Sequence, residues 1–150
     1  MIQNKKERIT VGITHGDING ISYEVILKSL KDPRIFEYFT PVIYGSPKVA
    51  AYYKKVMRLS SLNLNHIKMV EKATPKNINI INCASNKIRV ELGKSTELAG
   101  KASLNALRHA IVDLKNGKLD AVVTAPINKK NIQTGNFNFL SLKGPGSRLL

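Results

Sequence analysis

Strand-like and helix-like segments alternate along this chain, and this alternation constrains its fold more than any other feature. The run RITVGI (residues 8–13) is rich in β-branched residues, whereas YEVILKSLKD (residues 23–32) repeats apolar residues at helical spacing. The strand-like TPVIYG and the helix-like PKVAAYYKKVMRLS follow in the same order. Because strands that alternate with helices form parallel βαβ units, we predict an α/β fold with an open, mostly parallel sheet flanked by helices.

The second half of the chain continues this pattern. The runs INIINCA and KIRVEL resemble strands, and NLNHIK resembles a loop. The segment from residue 95 to 117 has Ser95 as a candidate N-cap and Gly117 as a stop, so we predict a helix over about 96–116. Spacing of three to four residues predicts that one stripe of this helix is buried, formed by Leu104, Leu107, Ile111 and Leu114.

Composition limits the classes of protein that this chain can form. A chain of 150 residues with 43% hydrophobic and 23% charged residues is typical of one soluble globular domain. No apolar run reaches the roughly 18 residues of a membrane span, and no apolar segment follows the charged N-terminus. The single cysteine, Cys83, allows no intrachain disulfide and is expected to be a buried hydrophobic residue. We therefore expect a cytoplasmic protein without a membrane partner.

The formal net charge of +14 is typical of proteins that bind a polyanion. The lysines and arginines, however, are scattered in ones and twos from Lys5 to Arg148. The chain has no basic helix, no aromatic residues interleaved with basic ones, and no nucleic-acid-binding motif. We therefore expect no specific nucleic-acid partner.

Polar residues and glycines follow the first predicted strand. In the loop THGDINGIS (residues 14–22), Gly16 and Gly20 permit close approach of a ligand, and the following helix offers free N–H groups to an anion. Asp17 suits a hydroxyl or ammonium group better than a phosphate. The Gly-x-x-x-Gly spacing is neither a dinucleotide fingerprint nor a P-loop. The alternative is a tight structural turn in which Asp17 caps the helix.

A second polar loop follows the apolar strand predicted at residues 119–123. Pro126 fixes the chain direction after Thr124, and Asn128 and Lys129 can present an amide and a cation to a ligand. The alternative is a solvated start of a helix. Since ligands gather at the carboxyl ends of parallel strands, we predict that Asp17 and Lys129 approach the same cleft.

Three runs of the sequence resemble one enzyme family, in the same order and at similar separations. They are VGITHGDINGIS, ELGKSTELAGKASLNALRHAI and AVVTAPINKKNI, and they resemble runs of the 4-hydroxythreonine-4-phosphate dehydrogenase (PdxA) family. The family's first run reads T-P-G-E/D-P-A-G-I-G-P-E, from which this chain departs at His15, Ile18, Asn19, Ser22 and Tyr23. Ser95 and Gly100 match the second run, and Pro126 matches the third.

The resemblance implies a fold like that of isocitrate and isopropylmalate dehydrogenases. It also implies NAD-dependent oxidation of 4-phosphooxy-threonine followed by decarboxylation, in the biosynthesis of pyridoxal phosphate. A divalent metal and a homodimer with its active site between domains are implied as well. By letter-for-letter match, the residues expected to contact substrate or cofactor are Thr14, Gly16, Asp17, Gly20, Thr124, Asn128 and Lys129.

The resemblance ends after residue 139. The family continues to a G-H-T-E segment, three histidine metal ligands and a second domain, whereas this chain reads LSLKGPGSRLL. We therefore expect a PdxA-like N-terminal α/β domain at residues 1–139 and a divergent tail at residues 140–150. We expect none of the three histidines to be a metal ligand, neither NAD nor metal to bind stably, and the isolated chain to be inactive. The alternative is a non-catalytic binding or assembly module.

Overall fold

A computed structural model describes residues 8–133 of the chain. Its five strands are β1 (Ile9–Thr14), β2 (Phe39–Gly45), β3 (Leu64–Ile67), β4 (Ile78–Asn82) and β5 (Ala121–Thr124). Its three α-helices are α1 (Ser22–Ser29), α2 (Pro47–Val56) and α3 (Glu97–Lys115). Short 3₁₀ helices cover Pro33–Glu37 and Val70–Lys72. The predicted boundary between residues 139 and 140 lies outside the described residues.

The five strands form one parallel sheet in the order β3-β4-β2-β1-β5. β1 pairs with β2 on one side and with β5 on the other, and Thr14 stands beside Thr124 in register. Because all strands are parallel, their carboxyl ends form one edge of the sheet, called the carboxyl edge below. The loops that follow β1 and β5 therefore leave the sheet next to each other.

Helices cover both faces of the sheet, because side chains alternate between the two faces along each strand. On one face, α1 and α2 pack over a cluster that includes Leu27, Ile43 and Ile80. On the other, α3 packs over a second cluster that includes Val42, Tyr44, Ala106 and Leu119. This arrangement confirms the predicted α/β fold with a parallel sheet flanked by helices.

Two predictions for the middle of the chain were wrong. The segment KIRVEL forms no strand, because residues 88–91 are irregular and Glu91 and Gly93 donate backbone hydrogen bonds to Asn19. Conversely, His66 lies in β3, where a loop was predicted. β3 has little apolar periodicity because it is a short edge strand, half-buried at three of its four positions.

The helix α3 begins at Glu97, one residue after the predicted start at about residue 96, and its N-cap is Thr96 and not Ser95. The Thr96 side chain accepts a hydrogen bond from the Ala99 amide at 3.2 Å. The predicted buried stripe was wrong at two of its positions, since Ile111 and Leu114 are each 37% exposed. Leu104 is buried and Leu107 is half-buried. The buried face consists mainly of small residues, namely Ala99, Gly100, Ala102, Ser103, Ala106 and Ala110.

Two further observations concern composition. Burial raises the pKa of the Cys83 thiol to about 12, so this side chain stays protonated and packs as a small hydrophobic residue, as predicted. Among the described residues, no helix has the length and apolar character needed to cross a membrane.

Candidate functional site

The loop after β1, residues 14–22, and the loop after β5, residues 124–132, meet at the carboxyl edge. They are called the first loop and the second loop below. The Asp17 amide donates a hydrogen bond to the Pro126 carbonyl at 2.9 Å. Gly16 has a φ of +63°, and a Cβ atom at this position would lie 2.3 Å from the Pro126 oxygen. Glycine is therefore required here by both conformation and space. The structure confirms that both loops lie at one edge.

Asp17 stabilises the turn within the first loop. Its Oδ1 accepts a hydrogen bond from the Asn19 amide at 3.1 Å, and its carbonyl accepts one from the Ser22 hydroxyl at 2.5 Å. The helix α1 begins at Ser22, and its N-cap residue, Ile21, makes no side-chain capping bond. The alternative of a tight structural turn is therefore confirmed in its turn, which Asp17 closes, and wrong in the capping of the helix by Asp17.

Asn19 links the first loop by hydrogen bonds to residues 91–96, the segment before α3. Its side-chain oxygen accepts from the Glu91 amide at 2.8 Å, and its side-chain nitrogen donates to the Lys94 carbonyl at 2.9 Å and to Thr96 at 3.3 Å. The Gly93 amide also donates to the Asn19 carbonyl. Asn19 is 3% exposed, so these bonds satisfy a buried amide. Sequence reasoning missed this role, because the partners lie more than 70 residues away.

The side chains of His15, in the first loop, and Tyr23, in α1, are both fully buried and contact each other. The His15 Nδ1 atom lies 2.8 Å from the Tyr23 hydroxyl, and its Nε2 atom lies 3.0 Å from the Ala102 carbonyl. Burial lowers the pKa of His15 from 6.5 to about 4, although the bond to Ala102 acts in the opposite direction. The ring is therefore neutral near pH 7, and both nitrogens are engaged. These side chains stand at two of the three proline positions of the family's first run, and their pairing was not predicted.

The second loop begins at the exposed end of β5. Asn128 accepts hydrogen bonds through its Oδ1 from the Lys130 amide at 3.0 Å and from the Asn131 amide at 3.3 Å. Its carbonyl accepts from the Ile132 amide at 3.2 Å, so residues 128–132 form one helical turn. The exposure of Lys129 agrees with the solvated alternative, whereas residues 129–131 form a turn and the structure describes no helix between β5 and residue 133.

The second loop also packs against α3. A Cβ atom at Gly100 would lie 1.8 Å from the Asn131 carbonyl oxygen, so the match to the family's second run is explained by a close backbone approach. The Asn131 carboxamide atoms and the Thr14 hydroxyl are buried with no hydrogen-bond partner among the described residues.

The predicted site residues fall into two groups. Thr14 and Gly16 are buried, and their backbones contact residues 125 and 126 of the second loop. The others retain accessible surface at the carboxyl edge, namely Asp17, Gly20, Thr124, Asn128 and Lys129. Within residues 8–133 no three His, Cys, Asp or Glu side chains lie close enough to hold a metal ion, and His15 has neither ring nitrogen available. The described residues therefore do not fit a metal centre.

Comparison with known proteins gives consistent matches. The family model described as "Pyridoxal phosphate biosynthetic protein PdxA" matches residues 37–143. A 4-hydroxythreonine-4-phosphate dehydrogenase of Bacteroides thetaiotaomicron is 44% identical over 135 residues, which are 90% of this chain and 37% of that protein. A Clostridium botulinum protein, provisionally assigned as a D-threonate 4-phosphate dehydrogenase, is 34% identical over 146 residues, which are 93% of this chain and 42% of that protein.

Solved structures show the same likeness. A 4-hydroxythreonine-4-phosphate dehydrogenase from Burkholderia phymatum superposes with a TM-score of 0.74 at 25% identity, over 83% of this chain and 38% of that chain. The enzyme from Klebsiella pneumoniae gives a TM-score of 0.70 at 25% identity, over 83% of this chain and 39% of that one. The present chain thus spans about two fifths of the length of the relatives that it matches, as an N-terminal portion would. By its family-model match and its three ordered sequence runs, this chain belongs to the PdxA family of pyridoxal phosphate biosynthetic proteins.

Proposed function

We propose that the two loops at the carboxyl edge bind a phosphorylated hydroxy acid, as part of an NAD-dependent 4-hydroxythreonine-4-phosphate dehydrogenase. The observation that carries this proposal is the hydrogen bond from the Asp17 amide to the Pro126 carbonyl, which joins two loops that are distant in sequence. It brings family-matched residues of the first and third runs to one edge of the sheet. In open α/β sheets this edge is the usual place for a ligand.

The names of the relatives support this class of ligand. Both 4-hydroxythreonine 4-phosphate and D-threonate 4-phosphate carry a phosphate ester at one end and a carboxylate at the other. They differ in that only the first is an amino acid. An anionic ligand with hydroxyl groups fits a site that offers a lysine and neutral hydrogen-bonding groups.

Each accessible residue suits one part of such a ligand. Lys129 offers an ammonium group to the phosphate or the carboxylate. Thr124 and Asn128 offer a hydroxyl and an amide to the neutral oxygens. Asp17, a partly exposed carboxylate, suits the hydroxyl or the ammonium end of the ligand and not the phosphate. The site therefore combines groups of opposite charge that orient an asymmetric ligand.

NAD, a divalent metal and a homodimer belong to this proposal for the full-length reaction, which we place in the cytoplasm. A metal would polarise the reacting hydroxyl, but the described residues provide no cluster to hold one. The contribution proposed for this chain is to bind and orient the phosphorylated ligand.

The proposal is tested by calorimetric titration of the full 150-residue chain with 4-phosphooxy-L-threonine. Lys129→Met should weaken binding by about 10-fold or more, because a charge-assisted hydrogen bond is lost. Lys130→Met is the matched control, since it removes a neighbouring exposed lysine, and it should change the affinity by less than about 2-fold. Equal effects of the two substitutions would show non-specific attraction to a basic surface and contradict the site.

A second candidate function is assembly with another polypeptide through β5. This strand ends the described sheet, and Val123 is 54% exposed on it. Beside it, a cavity of about 250 Å³ is lined by apolar side chains, among them Val25, Leu30 and Pro126. Exposed strand edges with apolar side chains promote pairing with other chains. Sedimentation equilibrium distinguishes the candidates, because Val123→Lys should abolish assembly and leave the ligand titration unchanged.

A further inference from the structure

We propose that His15 is a positioning residue whose neutral ring, held between the Tyr23 hydroxyl and the Ala102 carbonyl, fastens the first loop to α1 and α3. Protonation of the ring releases that loop. The inference concerns the order of the loop in the absence of any ligand. Its test is therefore independent of the ligand titration proposed above.

The tautomer of His15 follows from its partners. The Ala102 carbonyl can only accept a hydrogen bond, so the Nε2 atom, 3.0 Å away, carries the ring proton. In the neutral ring, Nδ1 must then accept, and the Tyr23 hydroxyl donates to it at 2.8 Å. The Tyr23 oxygen in turn accepts from the Ser46 amide at 2.9 Å. In this His15–Tyr23–Ser46 chain, every donor meets an acceptor only when the donors run from the Ser46 amide through the Tyr23 hydroxyl to the His15 ring.

Protonation reverses one bond of the His15–Tyr23–Ser46 chain. A proton added to Nδ1 must be donated to the Tyr23 oxygen, so the Tyr23 hydroxyl needs another acceptor. The nearest one shown is the Ser46 carbonyl at 3.4 Å, which is too long for a strong hydrogen bond between oxygens. The charged ring would thus be buried beside a weakened bond. Opening of the first loop, which exposes the ring to water, becomes the favourable alternative.

Among residues 8–133, no charged side chain contributes to the pKa of His15. Tyr23 is the ionisable group that faces it from α1, and Tyr53 of α2 stacks on Tyr23 with ring centres 5.5 Å apart. Cys83, after β4, acts on Tyr23 from the sheet. On α3 the partner is a backbone carbonyl, while Glu97 and Lys101 pair with each other at the exposed surface. Burial is the main cause of the low pKa of His15, near 4.

The position of His15 in the chain connects its charge to the candidate site. It directly precedes Gly16 and Asp17, whose backbone contacts the second loop at Pro126. The partners of its ring belong to two helices, Tyr23 in α1 and Ala102 in α3, and Tyr23 in turn accepts a hydrogen bond from the amide of Ser46, the N-cap residue of α2. Loss of the ring's bonds therefore removes one of the anchors of the first loop and leaves the hydrogen bonds of Asn19 and of the Asp17 amide to hold it.

The experiment is amide hydrogen exchange of the ¹⁵N-labelled full chain between pH 7 and pH 5, with rates corrected for intrinsic exchange. The amides of Asp17 and Gly93 report on the loop, and that of Ile43 reports on the sheet. If release exposes the ring, the opening equilibrium at Asp17 and Gly93 should rise by about 20-fold, as a shift of the His15 pKa from about 4 to 6.5 requires. His15→Gln, which keeps a donor for Ala102, should abolish this pH dependence.

Two results would overturn the proposal. In the first, Asp17, Gly93 and Ile43 exchange with the same opening free energy at every pH, because the loop then opens only when the whole domain unfolds. In the second, His15→Gln retains the pH dependence. If that variant does not fold, ¹⁵N spectra of the wild-type imidazole decide, since the proposal requires the Nε2–H tautomer at pH 7. The proposal also requires the signal of the Ser46 amide to titrate together with His15. Observation of the Nδ1–H tautomer would contradict the proposal.

Discussion

Burial of the His15 side chain makes the free energy of unfolding depend on pH. Its pKa is about 4 in the folded chain and 6.5 when exposed, so the unfolded chain binds more protons between these values. The stabilisation by the neutral ring is complete above pH 6.5 and is lost as the pH falls toward 4. Between pH 7 and pH 5 the free energy of unfolding should decrease by about 2 kcal/mol.

Urea unfolding at pH 7 and pH 5 measures this decrease. The interval lies above the titration range of ordinary carboxylates, such as the exposed Glu71 and Glu97, whose pKa values are lowered further by Lys118 and Lys101. His15→Gln should remove most of the difference in unfolding free energy between pH 7 and pH 5. His66 is exposed, so His66→Gln should leave that difference intact. An unchanged decrease in His15→Gln would assign the effect to other groups.

Glycine at position 16 meets two separate requirements. Its φ of +63° is unfavourable for other residues, and an added Cβ would lie 2.3 Å from the Pro126 carbonyl oxygen. Gly93 has a similar φ of +73° but nothing within 4 Å, so it isolates the conformational cost. Gly93→Ala should destabilise by roughly 1 kcal/mol, and Gly16→Ala by clearly more. Thermal unfolding of both variants checks this order, and equal losses would show that the second loop is not packed on Gly16.

At the scale of elements, apolar periodicity predicted most of the fold. β1, β2, β4 and the three α-helices lie where the sequence pattern indicated, because their burial is local and regular. The failures depend on distant partners. KIRVEL has the composition of a strand, yet Asn19 binds its backbone and holds it in an irregular path. β3 was missed because LNHI has no alternating pattern, although the sheet register pairs it with β4.

The face of α3 could not be predicted from its large side chains. The helix approaches the sheet through small residues such as Ala102, Ala106 and Ala110, so large residues at neighbouring positions are displaced toward solvent. The sequence reasoning assumed that leucine and isoleucine define the core. Where two backbones lie close together, small residues form the core instead. The same closeness explains why Gly100 faces the Asn131 carbonyl.

The start of α3 gives a direct test of its cap. Thr96→Ala should lower the free energy of unfolding by about 1 kcal/mol, because the Ala99 amide loses its acceptor and Asn19 loses a partner. Ser95→Ala is the matched control and should change stability by less than about 0.5 kcal/mol. Urea unfolding of both variants measures the difference. A larger loss in Ser95→Ala would place the cap where the sequence alone had predicted it.

For the whole molecule, the candidate site could be located from sequence only in part. The rule that ligands gather at the carboxyl edge correctly predicted that the first and second loops lie together. The rule could not show that Thr14 and Gly16 are buried supports, because burial depends on how α3 and the second loop pack. The contact of the accessible residues with substrate or cofactor remains a prediction.

The full 150-residue chain should not oxidise 4-phosphooxy-L-threonine with NAD. Its described histidines lie in the first loop, in β3 and in α3, and His15 has both ring nitrogens engaged, so they do not converge on a metal. NADH absorbance, followed with and without added Mn²⁺ or Zn²⁺, measures turnover. A full-length relative under the same conditions is the positive control. Metal-dependent turnover by the present chain above the rate without protein would refute this prediction.

The most direct test of the central claim is a map of ligand-induced shifts in the amide spectrum of the full chain. On addition of 4-phosphooxy-L-threonine, the largest shifts should fall in residues 14–20 and 124–132, with Lys129 among them. The chain has another basic concavity, a cavity of about 460 Å³ lined by Lys54, Lys55 and Arg58, which serves as an internal comparison. Shifts confined to that cavity, or no shifts at a ligand concentration of several millimolar, would contradict a phosphorylated-ligand site at the carboxyl edge.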